Sequence, residues 1–297
     1  MIHSQILHNG HVQPSTDLAF SPGQVGVMNG WGVFSTIKVV NGVLFAFDRH
    51  WARMRRDSDL MRVRFPWQPA ELETALLALV EANQAYNATL RVAVVRNKGG
   101  MWEGPNQKLD VDLLAFTADR NPWGAEARLG IVPNGRFAAS PFAGAKVLSW
   151  ASNLVWYEEA HLRGLDEVLL LNERGEVSEC TSANIFAVAG DTVLTPPLNS
   201  GCLPGVTREL LLEVVRAPGI QVIERVLTLN DLESADGLFI TSSTRDLLGV
   251  REVEGLSIKS EEKVRTALEQ AFTAWESIYV SSALRRARVD ARPGVAG

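Results

Sequence analysis

Cysteine is scarce. The chain carries two, Cys180 and Cys202, in 297 residues, far apart and at no metal-ligand spacing. A reducing cytoplasm is therefore the expected compartment. Five histidines, His3, His8, His11, His50 and His161, include no HExxH-type pair. The opening MIHSQILHNGH lacks the layout of a signal peptide, and no apolar run reaches the ~18–20 residues of a membrane span. Excess positive charge is missing too: the net charge is −5 and no basic run stands out. Neither nucleic acid nor an anionic membrane is an expected partner. What is present is an ordinary globular composition, 46% hydrophobic and 21% charged, without internal repeats and long enough for one large or two ordinary domains.

KVVNGVLFAF (38–47) predicts two short strands joined at Asn41-Gly42. DRHWARMRRDSDLMRV (48–63) predicts a helix capped by Asp48. AELETALLALVEANQA (70–85) predicts an amphipathic helix, with Leu72, Ala75, Leu76, Leu79 and Val80 on one face. TLRVAVVR (89–96) and LDVDLLAFTA (109–118) predict strands around a glycine-rich loop. RNPWGAEA (120–127) breaks the apolar pattern and reads as a linker. Further strands are expected around 145–150, 166–171, 175–180, 184–190, 191–196 and 237–240, and further helices at 151–163, 207–216 and 260–275. Strands and helices interleave, but hairpins are too frequent for strict βαβ winding. The expectation is an α+β protein of two domains, 1–119 and 133–281, joined by a linker at 120–132, with 282–297 a frayed tail.

Five stretches could carry chemistry. GAKVLSW (144–150) sets a lysine in an apolar run. Read as a strand, it puts Lys146 on the face of Leu148 and Trp150. Such a lysine is either an edge residue whose charge reaches water or an amine nucleophile with a pKa lowered by desolvation. In SECTSANIF (178–186), alternation turns Glu179 to the same side as Val177. A carboxylate facing inward needs a partner, such as a protonated ring nitrogen; at a strand end it would need none. GVTRELLLEVV (205–215) opens a helix whose first N–H groups, on Val206 and Thr207, suit a phosphate or an ordinary threonine cap. TSSTRD (241–246) follows a strand and suits an anion or a polar turn. In HWARM (50–54), Arg53 and His50 share a helix face, and Arg53 is either a two-pronged phosphate grip or a solvated neighbour of Arg55 and Arg56.

The order and spacing of these stretches resemble the class IV, or fold-type IV, pyridoxal phosphate enzymes, from about residue 25 to 252. That family includes branched-chain aminotransferase, D-amino-acid aminotransferase, (R)-selective amine transaminases and 4-amino-4-deoxychorismate lyase. GWGVFSTIKVVNGVLFAFDRHWARM (30–54) resembles its N-terminal block, and RGLDEVLLLNERGEVSECTSANIF (163–186) the block that follows the Schiff-base lysine. The resemblance implies a smaller N-terminal α/β domain and a larger, barrel-like C-terminal domain that enclose pyridoxal 5′-phosphate. It implies that Lys146 forms the imine with the cofactor and moves the proton. Glu179 would bond the pyridine nitrogen, while Arg53, Val206, Thr207, Ser242 and Ser243 would hold the phosphate. Trp150 would pack near the ring. The implied reaction is transamination between an amino acid or amine and a 2-oxo acid, in a homodimer or higher homo-oligomer.

Substrate positions depart from the family pattern. Ser35, in VFSTIKV (33–39), stands where relatives usually carry Glu, and Phe34 where D-amino-acid enzymes have a carboxylate-binding tyrosine. Phe34, Arg96 and Thr244 are the expected substrate contacts, Arg96 lying near a carboxylate-binding arginine of those enzymes. The loop GGMWEGP (99–105) is an expected lid or a plain connection. Thr36 resembles the lyase members, which makes release of 4-aminobenzoate and pyruvate the alternative activity. A binding protein that kept only the fold would have no need of both Lys146 and Glu179.

Overall fold

The computed structural model describes residues 1–102, 104 and 108–290, without the side chains of 287–290. In chain order the elements are β1 (Ile2–His8), β2 (His11–Pro14), α1 (Val25–Asn29), β3 (Gly32–Val40), β4 (Val43–Leu44), α2 (Phe47–Leu60), α3 (Pro69–Ala82), β5 (Thr89–Arg96) and β6 (Val111–Ala118). There follow β7 (Glu126–Arg136), α4 (Ala151–Leu162), β8 (Glu167–Asn172), β9 (Val177–Cys180), β10 (Asn184–Ala189), β11 (Thr192–Thr195), α5 (Val206–Glu213), β12 (Gln221–Glu224), α6 (Leu229–Ser234), β13 (Gly237–Ser242), β14 (Asp246–Val253) and α7 (Lys263–Asp290).

The first six strands form an antiparallel sheet in the order β2-β1-β6-β5-β3-β4. Its inner face, with Leu7, Ile37, Leu90 and Val92, packs on Met54 of α2 and on Leu72, Leu76 and Leu79 of α3. The β3–β4 turn holds Asn41 and Gly42 at φ 50° and 78°, the left-handed pair a two-residue hairpin demands. The remaining eight strands form a mixed sheet, β12-β11-β10-β13-β14-β7-β8-β9, in which β7 runs parallel to both its neighbours. The two curled sheets give the expected α+β architecture. A third apolar cluster joins the halves, with Phe45 and Ala46 of the β4–α2 corner against Phe186, Phe239 and Phe272.

The structure corrects five expectations. Asp48 does not cap α2: the helix starts at Phe47, and its cap position is Ala46, left-handed at φ 51° and without a side-chain cap. Only 119–125 bridge the sheets, because the chain enters β7 at Glu126; Ala127 and Leu129 are core residues whose alternation Arg128 and Gly130 disguise. Residues 145–150 are not a strand of the second sheet. They form a single antiparallel bridge to β3, Val33 to Val147, on the edge of β3 that the short β4 leaves uncovered. Glu179 does not share a face with Val177. A bulge at Ser178 pairs Glu179 with Leu170 and Val177 with Leu171, which point opposite ways. The segment expected to fray at 282 continues α7 to Asp290, while 291–297 lie outside the described residues. So do residues 103 and 105 of the expected lid.

One buried cation fastens the halves. Lys38 of β3, 2% exposed, pairs with Asp246 at the start of β14 and with Glu276 of α7. Its ammonium lies over the rings of Phe45 (5.1 Å) and Phe272 (5.4 Å). Lys38→Met keeps the stem and strands two carboxylates. It should cost about 3 kcal/mol, read as a fall of several degrees in the apparent Tm; an unchanged melting curve would show that the ion pairs carry no stability.

Candidate functional site

The two sheets meet around a cavity of about 480 Å³. β3 contributes Phe34 and Thr36, α2 Arg53, β5 Arg91, β7 Arg136 and β9 Glu179. The start of α5 and the turn between β13 and β14 close it. Of the residues singled out in the sequence, Lys146, Arg53, Glu179, Val206, Thr207, Ser242, Ser243, Phe34 and Thr244 all line this cavity. Arg96 does not. Its guanidinium donates to the carbonyls of Lys98 (2.6 Å) and Arg62 (2.9 Å) and stacks on Trp31.

Lys146 reaches the cavity from an irregular segment. Its carbonyl accepts from Phe34 N at 3.0 Å, and Leu148 N donates to Gly32 at 2.9 Å. The amine faces the rings of Phe34 (4.5 Å) and Trp150 (6.0 Å), themselves packed edge to face. Lys146 is half-buried by area because it opens into the cavity. Protein still crowds its amine, and desolvation by burial, then the charge of Arg53, lowers its pKa to about 7. Glu179 and Asp57 oppose that shift, and Arg91 adds to it.

Glu179 is 7% exposed and oriented from two sides. Oε1 accepts from Arg136 Nε at 2.9 Å and Oε2 from Leu203 N at 3.0 Å. Asn153 of α4 holds Arg136 in turn, at 3.1 Å, and is itself tied to the Thr181 carbonyl. A carboxylate has about four acceptor sites, so this one retains capacity for a donor in the cavity.

Arg53 donates to Ser35 Oγ (2.8 Å) and to the Pro204 carbonyl (3.3 Å), while its buried Nε has no partner among the described residues. Burial lowers its pKa to about 10. Thr207, 3% exposed, stands in the first turn of α5, where helical N–H groups are unspent. Gly205 caps that helix from the cavity side, and a Cβ there would lie 2.0 Å from Asn184 Oδ1. The hydroxyl of Thr241 is buried without a partner among the described residues, beside Ser242. Orphaned donors, a tightly approached helix start and a guanidinium form a cradle for a phosphate-sized anion.

Sequence reasoning missed several lining residues. Arg91 lies across its strand pair from Thr36, with its guanidinium 3.8 Å from the centre of the Phe34 ring, and that guanidinium has no hydrogen bond or ion pair among the described residues. Strand parity was the available signal: Arg91 and Arg96 lie on opposite faces of β5. Trp123, in the expected linker, stacks on Arg245 at 3.7 Å and donates to the Thr244 carbonyl. Arg245 pairs with buried Glu167 at 3.4 Å and donates to Ser182. No motif announced that pair.

Residues 32–253 match the family profile described as "Amino-transferase class IV". The chain is 28% identical to the branched-chain-amino-acid aminotransferase of Salmonella typhimurium, over 82% of this chain and 83% of that protein. It is 26% identical to the D-alanine aminotransferase of Bacillus licheniformis, over 90% of this chain and 96% of that one. The solved branched-chain amino acid aminotransferase of Escherichia coli superposes with a TM-score of 0.82 at 25% identity, covering 91% of this chain and 93% of that one.

With a pKa of about 7, Lys146 should titrate far below ordinary lysines. In protein freed of carbonyl compounds, its acylation by a small amine-selective reagent, followed by peptide mass spectrometry, should rise tenfold per pH unit below about 7 and level off above. A midpoint near the ordinary 10.5 of lysine would refute the burial argument.

Proposed function

The chain belongs to the class IV aminotransferases, and from that premise we propose that it moves amino groups between α-amino acids and 2-oxo acids with Lys146 as its catalytic amine. The cofactor is pyridoxal 5′-phosphate, and the cavity suits it: the Arg53–Thr207–Ser242–Ser243 cradle for the phosphate, Glu179 for the ring nitrogen, Lys146 for the aldehyde end. When bound, the cofactor supplies an aldehyde that condenses with amines and a ring that holds the electron pair left as the substrate Cα loses its proton. One observation carries this reading. Among the described residues lining the cavity, Lys146 is the only lysine and Glu179 the only carboxylate, and the two bound the same space.

The roles of the chain's own groups follow from their surroundings. Because its pKa is about 7, Lys146 has a large fraction of free amine at neutral pH. Nζ can take the proton from the substrate Cα and return it at a neighbouring carbon, as base and then acid. Glu179, oriented by Arg136 and Leu203 N, holds a proton on the ring nitrogen. Arg53 and the first turn of α5 fix the phosphate, and Phe34 and Trp150 keep water from the amine. Arg91 grips a substrate carboxylate, which favours amino acids over simple amines as donors.

The apolar rim supports assembly. Phe137 and Phe142 line the cavity yet are 63% and 52% exposed, and Leu154 and Val155 of α4 are 54% and 59% exposed. A second copy of the chain covers these side chains in a homodimer. Both cysteines are buried free thiols, in keeping with the cytoplasm; no helix among the described residues is long and apolar enough to cross a membrane. Two domains divide at residues 119–125.

The test is a donor panel of L- and D-amino acids and chiral amines with 2-oxoglutarate. Glutamate should form with amino acid donors, and the cofactor's absorbance should change in each half-reaction. Pyruvate release from 4-amino-4-deoxychorismate, without glutamate formation from any donor, would assign the lyase activity instead. Lys146→Ala should lose about 10³-fold or more in kcat. Arg91→Met should raise KM for carboxylate substrates about 10–100-fold, the worth of a charge-assisted hydrogen bond, with a smaller change in kcat.

A further inference from the structure

Helix α2 does more than present Arg53. One turn further along lies Asp57, 1% exposed. Its Oδ2 accepts the backbone N–H of Lys146 at 3.1 Å, while Oδ1 accepts from Arg56 Nε at 2.9 Å and also from Arg56 Nη2. The same Nη2 donates to the Gly144 carbonyl at 2.9 Å. Neighbouring residues of one helix thus hold both ends of the Gly144–Lys146 segment. Its other contacts leave little room: the Lys146 carbonyl is held by Phe34 N at 3.0 Å, and Gly144, at φ +73°, would place a Cβ 2.9 Å from the Cys202 carbonyl.

We propose that Asp57 is the positioning residue of Lys146, its buried carboxylate tying the lysine to the helix that presents Arg53. Amine and phosphate grip then share one rigid frame, four residues apart on α2, although residue 146 belongs to the other half of the molecule. The inference rests on Lys146 being the catalytic amine, which Lys146→Ala decides by itself.

The tie has an electrostatic consequence. The charged groups facing the amine are Arg53 and Asp57 on α2, Arg91 on β5 and Glu179 on β9. His50, on α2, is buried and its pKa is held well below the usual value by desolvation, then by Arg53 and Lys146, so it stays neutral. Asp57 opposes the two arginines, and Arg56 partly neutralises Asp57. Removing the carboxylate must therefore favour the free amine, and removing Arg56 must favour the ammonium.

Two variants read this on the full chain freed of cofactor, by the pH profile of Lys146 acylation, which does not depend on turnover. Asp57→Asn keeps an acceptor oxygen but loses the charge, and its midpoint should fall. Arg56→Met, at a side chain 45% exposed and so tolerant of change, should move the midpoint upward. In the loaded enzyme Asp57→Asn should lose about tenfold in kcat, with KM for the donor within about twofold, as expected for a displaced amine. Midpoints that stay put or move the same way, or an Asp57→Asn enzyme with its parent's kcat, would overturn the proposal. If Asp57→Asn does not fold, the direction of the Arg56→Met shift decides.

Discussion

An amine crowded by protein and set beside a guanidinium resists its own charge, and the structure around residue 146 is arranged to keep it there. The lysine's backbone is not part of the sheet that dominates its half of the chain. It is held from the other half, by β3 through Phe34 and by α2 through Asp57. The position of the amine is therefore a property of the junction between the sheets. That junction is stabilised by the Phe45–Phe186–Phe239–Phe272 cluster and by the ion pairs of Lys38 with Asp246 and Glu276. Apolar burial supplies most of such stability, while buried charge pairs add geometric definition more than net free energy.

Charge in the cavity is lopsided in an informative way. Among the described residues, Arg53, Arg91, Arg136, Lys146 and Arg245 line it, against Glu179 alone of the carboxylates. Two of these cations are already matched, Arg136 by Glu179 and Arg245 by Glu167. Three are not, and they point to different tasks. Among the described residues Arg53 has a buried Nε to satisfy, the Arg91 guanidinium has only the face of Phe34, and Lys146 is pushed toward its neutral form. On the proposed function an anionic phosphate and a substrate carboxylate would supply the missing negative charge, which would leave the third group to act as an amine. Similarity to aminotransferases and the electrostatics of this chain arrive at one reading by separate routes.

Much of this was legible in the residues, for reasons that can be named. Asn41-Gly42 announces its hairpin because few pairs adopt two left-handed residues in succession. The α3 stripe of Leu72, Leu76 and Leu79 is local and periodic, and all three are fully buried. The site residues on motifs with fixed spacing, Arg53, Lys146, Glu179 and Thr207, meet in one cavity. What failed was whatever depends on partners distant in sequence. Lys146 looked like a strand residue because the segment is extended and apolar, but the edge it pairs with lies over a hundred residues earlier. The face of Glu179 was misread because a bulge has no signature in VSEC. The first part of β7, residues 126–132, reads as linker because its apolar positions alternate with Arg128 and Gly130. Resemblance points to Arg96, whereas parity along the same strand sets Arg91 on the cavity side.

Ser35 shows how a single departure from a family pattern can be physically consistent. A carboxylate at that position would bring negative charge to the surroundings of Arg53 and His50. The serine hydroxyl instead accepts one N–H of Arg53 at 2.8 Å and stands 2.8 Å from His50 Nδ1. Both supports are uncharged, since burial and the neighbouring cations keep His50 neutral. Arg53 is therefore oriented without being discharged, and burial lowers its pKa only to about 10, which leaves it cationic at neutral pH. The nearest carboxylate on its own helix, Asp57, is engaged elsewhere, by Arg56 and by the Lys146 backbone. Asp57 and Glu209 lie near enough to favour the charged form of Arg53, and on the proposed function that charge would serve two things in the cavity, a phosphate that it would bind and an amine whose proton it repels.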